Sequence, residues 1–429
     1  MFCLMLLATL AADPAPRPNL LVLFTDDQGY GDAGFQGHPE LKTPHLDKLA
    51  ASGLRLTHCY ASAPVCSPSR AGLLTGQHPY RHNIRDWIPP NSGIYLPKTA
   101  PSLPRLLKAA GYRTALVGKW HLNSKMDGSE PTPADLGFDH WFATQNNAAP
   151  SHENPTNFVR NGKPVGPLKG NSSQLIVDEA LDWLKAGKPE QPFVLFVWFH
   201  APHEPVAVTE VWTKPYAELE PENRRQYLGS ITCLDDAIGR LLSELERTKQ
   251  RQRTLIFFSS DNGPETLKRY KGAQRSYGTP GKLRGRKLHL TEGGIRVPGL
   301  LSWPGTIQPG TSAVPVSNVD LLPTACELAG VPLPAVPLDG VSLVPLFTGQ
   351  PLKRAVPLYW QYDRALGGFT AALRDGDWKL LADAKREKLA LYHLGDDPSE
   401  SRDRASDKPD ELARLRKLLD ERHRAINSR

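Results

Sequence analysis

Four short apolar runs in this chain stop abruptly at polar or ionisable side chains, and they constrain the fold more than any other feature. NLLVLFTDDQGYGD reaches Asp26 and Asp27, YRTALVGKWH reaches Lys119 and His121, PFVLFVWFHAPHEP reaches His200 and His203, and RTLIFFSSDNGP reaches Asp261 and Asn262. Runs of Val, Leu, Ile and Phe without polar alternation indicate strands buried on both faces. Helical patterns lie between them, in HLDKLAASG, SLPRLLKAAG, IVDEALDWLKAG and LDDAIGRLLSELERT. Strands alternating with helices predict an α/β fold with a large, mostly parallel, mixed central sheet and helices on both faces. Ligands of such open sheets bind beyond the carboxyl ends of the strands. All four polar clusters fall at those ends.

Taken singly, each cluster has an ordinary explanation. Paired aspartates after a strand are commonly a turn, Asp-Asn-Gly is a hairpin signal, and a histidine after a strand is usually a boundary residue. Together, at equivalent sheet positions, they would require four coincidences. Asp26, Asp27, Asp261 and Asn262 offer only oxygen ligands, and no cysteine or histidine pair has zinc spacing. That donor set suits a hard cation, Ca²⁺ ahead of Mg²⁺. Such a cation offsets the repulsion among clustered carboxylates and acts as a Lewis acid on a sulfuryl or phosphoryl oxygen. Arg70, Lys119 and Lys287 would neutralise further charge, and His121 and His203 are natural acid–base groups. The candidate nucleophile lies in PVCSPSRAGLLTG. Cys66 starts a predicted helix with Pro68 in its first turn, where free N–H groups favour an anion. On the residues alone, Cys66 is either a thiolate nucleophile or a plain structural cysteine.

At 429 residues the chain is long enough for two or three domains. Its 40 prolines are scattered among apolar runs, which predicts ordered loops and no flexible linker. The formal net charge is +7, and KRYKGAQRSYGTPGKLRGRK (268–287) contains no acidic residue. Such a loop suits an anionic partner at the rim of a pocket, with Arg275 and Arg284 reaching the anion. No nucleic-acid recognition motif accompanies it. The N-terminal residues 1–12 read as a signal peptide cleaved near Ala11 or Ala12, which predicts an exported protein in a periplasmic, extracellular or lysosome-like compartment. No other stretch approaches a membrane span, so no transmembrane anchor is expected. Cys3, Cys59, Cys66, Cys233 and Cys326 show no disulfide framework.

The motifs closely resemble those of the formylglycine-dependent sulfatases, the arylsulfatase-like type I branch of the alkaline-phosphatase-like superfamily. CSPSRAGLLTG matches the family signature, and GYRTALVGKWH (111–121) resembles the second. NLLVLFTDDQGYGD, TPHLDKLAASG, APHEP, SSDNG and TEGGIRVP follow in the family's order, and LRDGDWKLL and LYHLGDDPSE resemble its C-terminal subdomain. The resemblance implies that a formylglycine-generating or sulfatase-maturating enzyme oxidises Cys66 to formylglycine (3-oxoalanine), reading Pro68 and Arg70 with it. The hydrated aldehyde is a geminal diol. One hydroxyl attacks sulfur and displaces the alcohol, and the second then loses its proton as sulfate is eliminated. Asp26, Asp27, Asp261 and Asn262 would bind Ca²⁺ together with residue 66. Arg70 would hold the diol and the metal site, Lys119, His203 and Lys287 would grip sulfate, and His121 would take the proton in the elimination. His203 or Lys287 would protonate the leaving oxygen. Lys282, Arg284 and Arg286 stand close to Lys287 as alternatives.

These readings predict a catalytic domain over 18–345 and a C-terminal subdomain over 346–429 with an antiparallel sheet and the terminal helix PDELARLRKLLDERHRAI. The substrate is a sulfated carbohydrate or an aryl sulfate, and HENPTNFVRNGKPV (152–165) reads as a substrate loop. Two rivals remain at this level. One is a phosphodiesterase or phosphonate monoester hydrolase of the same superfamily. The other is a non-catalytic binder of sulfated glycans, although a binder has no use for the acid–base residues.

Overall fold

The computed structural model of the chain describes residues 17–428. The leader read in residues 1–12 lies outside the described residues. A ten-stranded mixed sheet forms the centre, in the order 310–312, 54–56, 299–302, 254–260, 19–25, 193–198, 113–119, 140–144, 159–160, 163–164. The four strands singled out in the sequence are adjacent and mutually parallel, Thr254–Ser260, Asn19–Thr25, Phe193–Trp198 and Arg113–Lys119. Their carboxyl ends therefore open onto one side of the sheet, and His140–Thr144 extends the parallel set.

Alternate residues of each central strand enter opposite cores, as the two-residue strand period requires. Leu20, Val22 and Phe24 join Val194, Phe196 and Trp198 on one face, with Leu73, Leu74, Leu103 and Leu322 packed over them. Leu21 and Leu23 join Leu195 and Val197 on the other, against Leu46, Ile176, Leu234, Ile238 and Leu241. The predicted helices are present as Pro44–Ala51, Leu103–Ala109, Ser172–Lys185 and Glu222–Arg247. Helix Cys66–Thr75 is buried along its whole length.

A second, four-stranded antiparallel sheet comprises Leu358–Gln361, Ala371–Asp375, Trp378–Ala382 and Leu389–His393. The helix Pro409–Asn427 packs on it through Leu415, Leu419 and Ile426. The sheet's other face reaches the central unit. Trp360, Tyr362 and Leu381 share one apolar cluster with Tyr60, Val65 and Cys66, so the C-terminal sheet supports the start of the buried helix. Cys59, Cys66, Cys233 and Cys326 are free and buried. Among the described residues, no helix is long and apolar enough to cross a membrane.

Candidate active site

Local backbone geometry aims the polar strand ends at one another. Gly118 has φ +107°, and a Cβ there would lie 1.9 Å from the carbonyl oxygen of Trp198. The strand ending at Lys119 thus approaches its neighbour at a point where any side chain would collide. Asp27 and His121 have φ of 61° and 55°. Such left-handed backbone costs a non-glycine residue on the order of 1 kcal/mol and persists where surrounding structure imposes it.

The buried cluster that forms is an alternation of carboxylates and cations. Lys119 Nζ lies 2.5 Å from Asp26 Oδ2 and 3.2 Å from Asn147 Oδ1. Arg70 donates to Asp261 Oδ2 from Nε at 3.1 Å and Nη2 at 2.8 Å, and to the Lys119 carbonyl from Nη1. The Asp27 backbone N–H donates to Asp261 Oδ1 at 3.1 Å. Asn262 Nδ2 donates to Asp27 Oδ1 at 2.6 Å. Lys287 Nζ reaches the same carboxylate at 2.7 Å, and His203 Nε2 stands 3.6 Å from it. Of the basic residues 282–287 considered from the sequence, Lys287 is the one that contacts Asp27.

Burial governs the charge states. It pushes Asp261 up to about 7, with Asp26 adding to the effect, and Asp27 up to about 6 against the pull of Lys287. Asp26 is likewise buried, yet Lys119, His203 and Arg70 outweigh that and hold it well below the usual carboxylate range. Burial pushes the Cys66 thiol up to about 11. Burial by itself thus disfavours a simple thiolate nucleophile. Burial, then Lys287, lowers His203 to about 3, and burial with Lys119 and Arg70 pushes His121 well below the ordinary imidazole value.

The donor set fits a hard cation. Ligand atoms of Asp26, Cys66 and Asp261 lie within 4.8 Å of one another, as do those of Asp26, Asp27 and His203. Asp26 Oδ1 and Asn262 Oδ1 are buried oxygens with no hydrogen-bond partner. Unpartnered buried oxygens beside carboxyls with raised pKa values are what a bound Ca²⁺ would relieve.

A cavity of about 580 Å³ opens over this cluster, with Cys66, His121, His203 and Lys287 in its lining. Its mouth is built by residues the sequence did not reveal: Asp86, Trp87, Tyr270, Tyr362 and Arg364. Asn146 and Asn147 also line it. These follow the parallel strand His140–Thr144, and FATQNN repeats the pattern of an apolar run ending in polar groups, a signal that could have found them.

Two expectations are corrected here. No residue of 152–165 lines the cavity. That segment instead carries the edge hairpin Val159–Arg160 and Lys163–Pro164, with Arg160 bound to Glu179. The arginines of the basic loop are also occupied elsewhere. Arg275 binds the Val206 carbonyl and Asn223, Arg284 binds Tyr392 and the Glu400 carbonyl, and Arg286 binds the carbonyls of Glu265 and Gly278. They fold the loop, and Arg269, Tyr270 and Lys287 are what it presents to the cavity. His200, at a strand end, binds Thr144 Oγ1 at 2.8 Å and lies outside the cavity lining.

Comparison with known proteins decides the family. The sulfatase family model matches residues 18–331, and the model of the N-sulphoglucosamine sulphohydrolase C-terminal region matches residues 286–427. The chain belongs to the formylglycine-dependent sulfatase family. Human arylsulfatase A is 35% identical over 407 residues, 87% of this chain and 77% of the relative. Human N-acetylgalactosamine-6-sulfatase is 34% identical over 379 residues, 82% of this chain and 70% of the relative. Among solved structures, Ps i-CgsB superposes with a TM-score of 0.85 at 27% identity, covering 96% of this chain and 93% of that one. The same protein is also solved in complex with k-i-k-neocarrahexaose. The chain is a sulfuric ester hydrolase with the alkaline-phosphatase-like fold of this family.

Proposed function

We propose that this sulfatase removes sulfate from a sulfated carbohydrate or an aryl sulfate, using formylglycine made from Cys66 and a bound calcium ion. One observation carries the reading. At the floor of one cavity, Cys66 meets Asp26 and Asp261 within ligand distance, beside two buried oxygens that lack partners. Asp26, Asp27, Asp261, Asn262 and the modified residue 66 would hold the ion. Bound there, calcium supplies positive charge against the sulfate oxygens. Formylglycine supplies a hydrated aldehyde, with one hydroxyl to attack sulfur and a second through which sulfate can leave.

The chain's own residues do the rest. Arg70 fixes Asp261 and, through Lys119's carbonyl, the neighbouring strand end. Lys119 and Lys287 supply cations on either side of the aspartates. His121 Nε2 faces the Ile88 carbonyl at 3.2 Å, and Nδ1 has no partner. A carbonyl only accepts, so Nε2 carries the proton and Nδ1 keeps a lone pair. That lone pair is the base for the elimination. His203 Nδ1 is held in the same way by the Glu204 carbonyl at 2.5 Å, which leaves Nε2 toward the cavity. Lys287, a cation against Asp27, carries a proton for the leaving oxygen, and His203 shares that role only when its ring is doubly protonated.

The motif read by the maturation enzyme is buried throughout helix Cys66–Thr75. The modifying partner therefore acts before this segment folds, and the protein is exported afterwards or meets that partner on its export route. Mass spectrometry of the peptide spanning residue 66, together with turnover of nitrophenyl sulfate, tests the reading. Active protein retaining an unmodified cysteine would overturn it, and inactive unmodified protein from the native host would favour the glycan-binding rival.

A further inference from the structure

The floor of the cavity accounts for sulfate, but its mouth carries a different set of groups. Trp87 is 40% exposed there, and its ring centroid lies 6.4 Å from that of His121. A partly exposed indole, tilted 51° to the imidazole, thus stands beside the proposed elimination base and lines the cavity. Beside it Asp86 is fixed as an acceptor. Its Oδ1 receives the Trp87 backbone N–H at 2.8 Å and the Tyr362 hydroxyl at 2.9 Å, while Oδ2 receives Arg364 Nη1 at 2.9 Å. Arg364 is otherwise solvent-facing, with 76% of its side chain exposed.

This mouth is held to the chemistry by its own backbone. Ile88, the next residue, donates its N–H to Ser67 Oγ at 3.0 Å, one position beyond the nucleophile, and its carbonyl holds His121. Asp86, Trp87 and Ile88 therefore move as one piece with the reacting centre, as a preorganised site requires.

A carboxylate only accepts hydrogen bonds and a guanidinium only donates them. Side by side, they complement neighbouring hydroxyls, each of which does both. An aryl ring would stack on Trp87 equally well, but it offers no hydroxyls to the free lone pairs of Asp86 or the free N–H groups of Arg364. We infer that the ring bearing the sulfate ester is a pyranose, stacked through its C–H face on Trp87 and read at adjacent hydroxyls by Asp86 and Arg364. This rests on the sulfatase reading above and narrows its substrate to sugars.

The test uses mature enzyme and the variants Asp86→Ala, Arg364→Met, Trp87→Ala and Trp87→Phe. Each is assayed on nitrophenyl sulfate and on a panel of sulfated hexoses and hexosamines. The ratio of kcat/KM for the best sugar to that for the aryl ester should fall by about tenfold or more in Asp86→Ala, Arg364→Met and Trp87→Ala. The loss should appear mainly in KM, and Trp87→Phe should keep most of the ratio. Equal losses on both substrate classes would overturn the inference, because the mouth would then only shape the catalytic centre. So would wild-type enzyme that cleaves the aryl ester and no sulfated sugar, an outcome that leaves the sulfatase reading intact. Failure on every sulfate ester would instead remove the reading on which the inference rests.

Discussion

Arg70 donates twice to a single oxygen of Asp261, from Nε at 3.1 Å and from Nη2 at 2.8 Å, and both side chains are sealed from solvent. The pairing leaves Asp261 Oδ1 for the Asp27 N–H and fixes the carboxylate beside residue 66. Burying these charges is costly unless each keeps its partner. The pair therefore defines the geometry of the floor as well as its charge.

Arg70→Lys keeps the charge but loses the planar fork that serves Asp261 and the Lys119 carbonyl together. The expected result is a folded protein whose kcat/KM falls by about a hundredfold. Arg70→Met leaves Asp261 buried without its partner and should lower unfolding free energy by about 3–5 kcal/mol. Urea titration alongside steady-state kinetics checks both; near-wild-type activity in the lysine variant would show that the fork is dispensable.

Cys66→Ala should abolish sulfate-ester hydrolysis. Cys66→Ser has one hydroxyl and no second one through which to eliminate sulfate, so it should form at most a stable sulfate ester. Intact-mass measurement after incubation with nitrophenyl sulfate detects that adduct. Steady multiple turnover by the serine variant would rule the elimination out. Because the helix is buried, natively folded, unmodified protein should resist the maturation enzyme, while the same chain presented unfolded should be modified.

Asp27→Ala and Asp261→Ala each remove an oxygen donor from the cluster and should lose the bound calcium, measured by elemental analysis on purified protein. Chelation of the wild type should reduce activity, and added Ca²⁺ should restore it more fully than Mg²⁺, which demands a tighter octahedral arrangement. Full activity in protein shown to be metal-free would contradict the assignment.

Part of the floor was legible because Asp26, Lys119 and Asp261 sit at the ends of buried strands whose parallel pairing places them together. Cys66 and Lys287 lie in a helix and a loop, and their roles were read from the family resemblance. The mouth was not legible. Asp86 and Trp87 lie in a loop without periodicity, and Arg364 reaches them from 278 positions away. The basic loop misled for a related reason. Its arginines look unpaired in sequence, yet Arg284 is bound by the Glu400 carbonyl and Tyr392, more than a hundred residues on. Charge runs reveal sign, while the partners that consume the charge come from the fold.

Asp339 joins the central unit to the C-terminal helix and should make that junction acid-sensitive. It accepts from Arg81 Nε at 2.9 Å, from the His78 backbone N–H at 2.6 Å and from Arg422 on helix Pro409–Asn427. Burial alone would raise its pKa, but Arg81, the His78 N–H and Arg422 prevail and bring it to about 2, against an ordinary value of 3.8. A carboxyl depressed in the folded state binds its proton more readily when unfolded. Its contribution is therefore complete above about pH 4 and is lost as pH falls through 4 toward 2. The shift corresponds to about 2 kcal/mol at neutral pH. Asp339→Asn keeps the shape and removes the charge, so the stability gap between wild type and variant should be nearly constant from pH 7 to 5. It should then narrow by about 2 kcal/mol toward pH 2. Urea unfolding of both proteins across that range measures the gap directly. A gap that stays constant down to pH 2 would mean that the carboxylate's charge contributes nothing, and that the junction is held by other contacts such as the bond from Arg81 Nη1 to the Ala425 carbonyl.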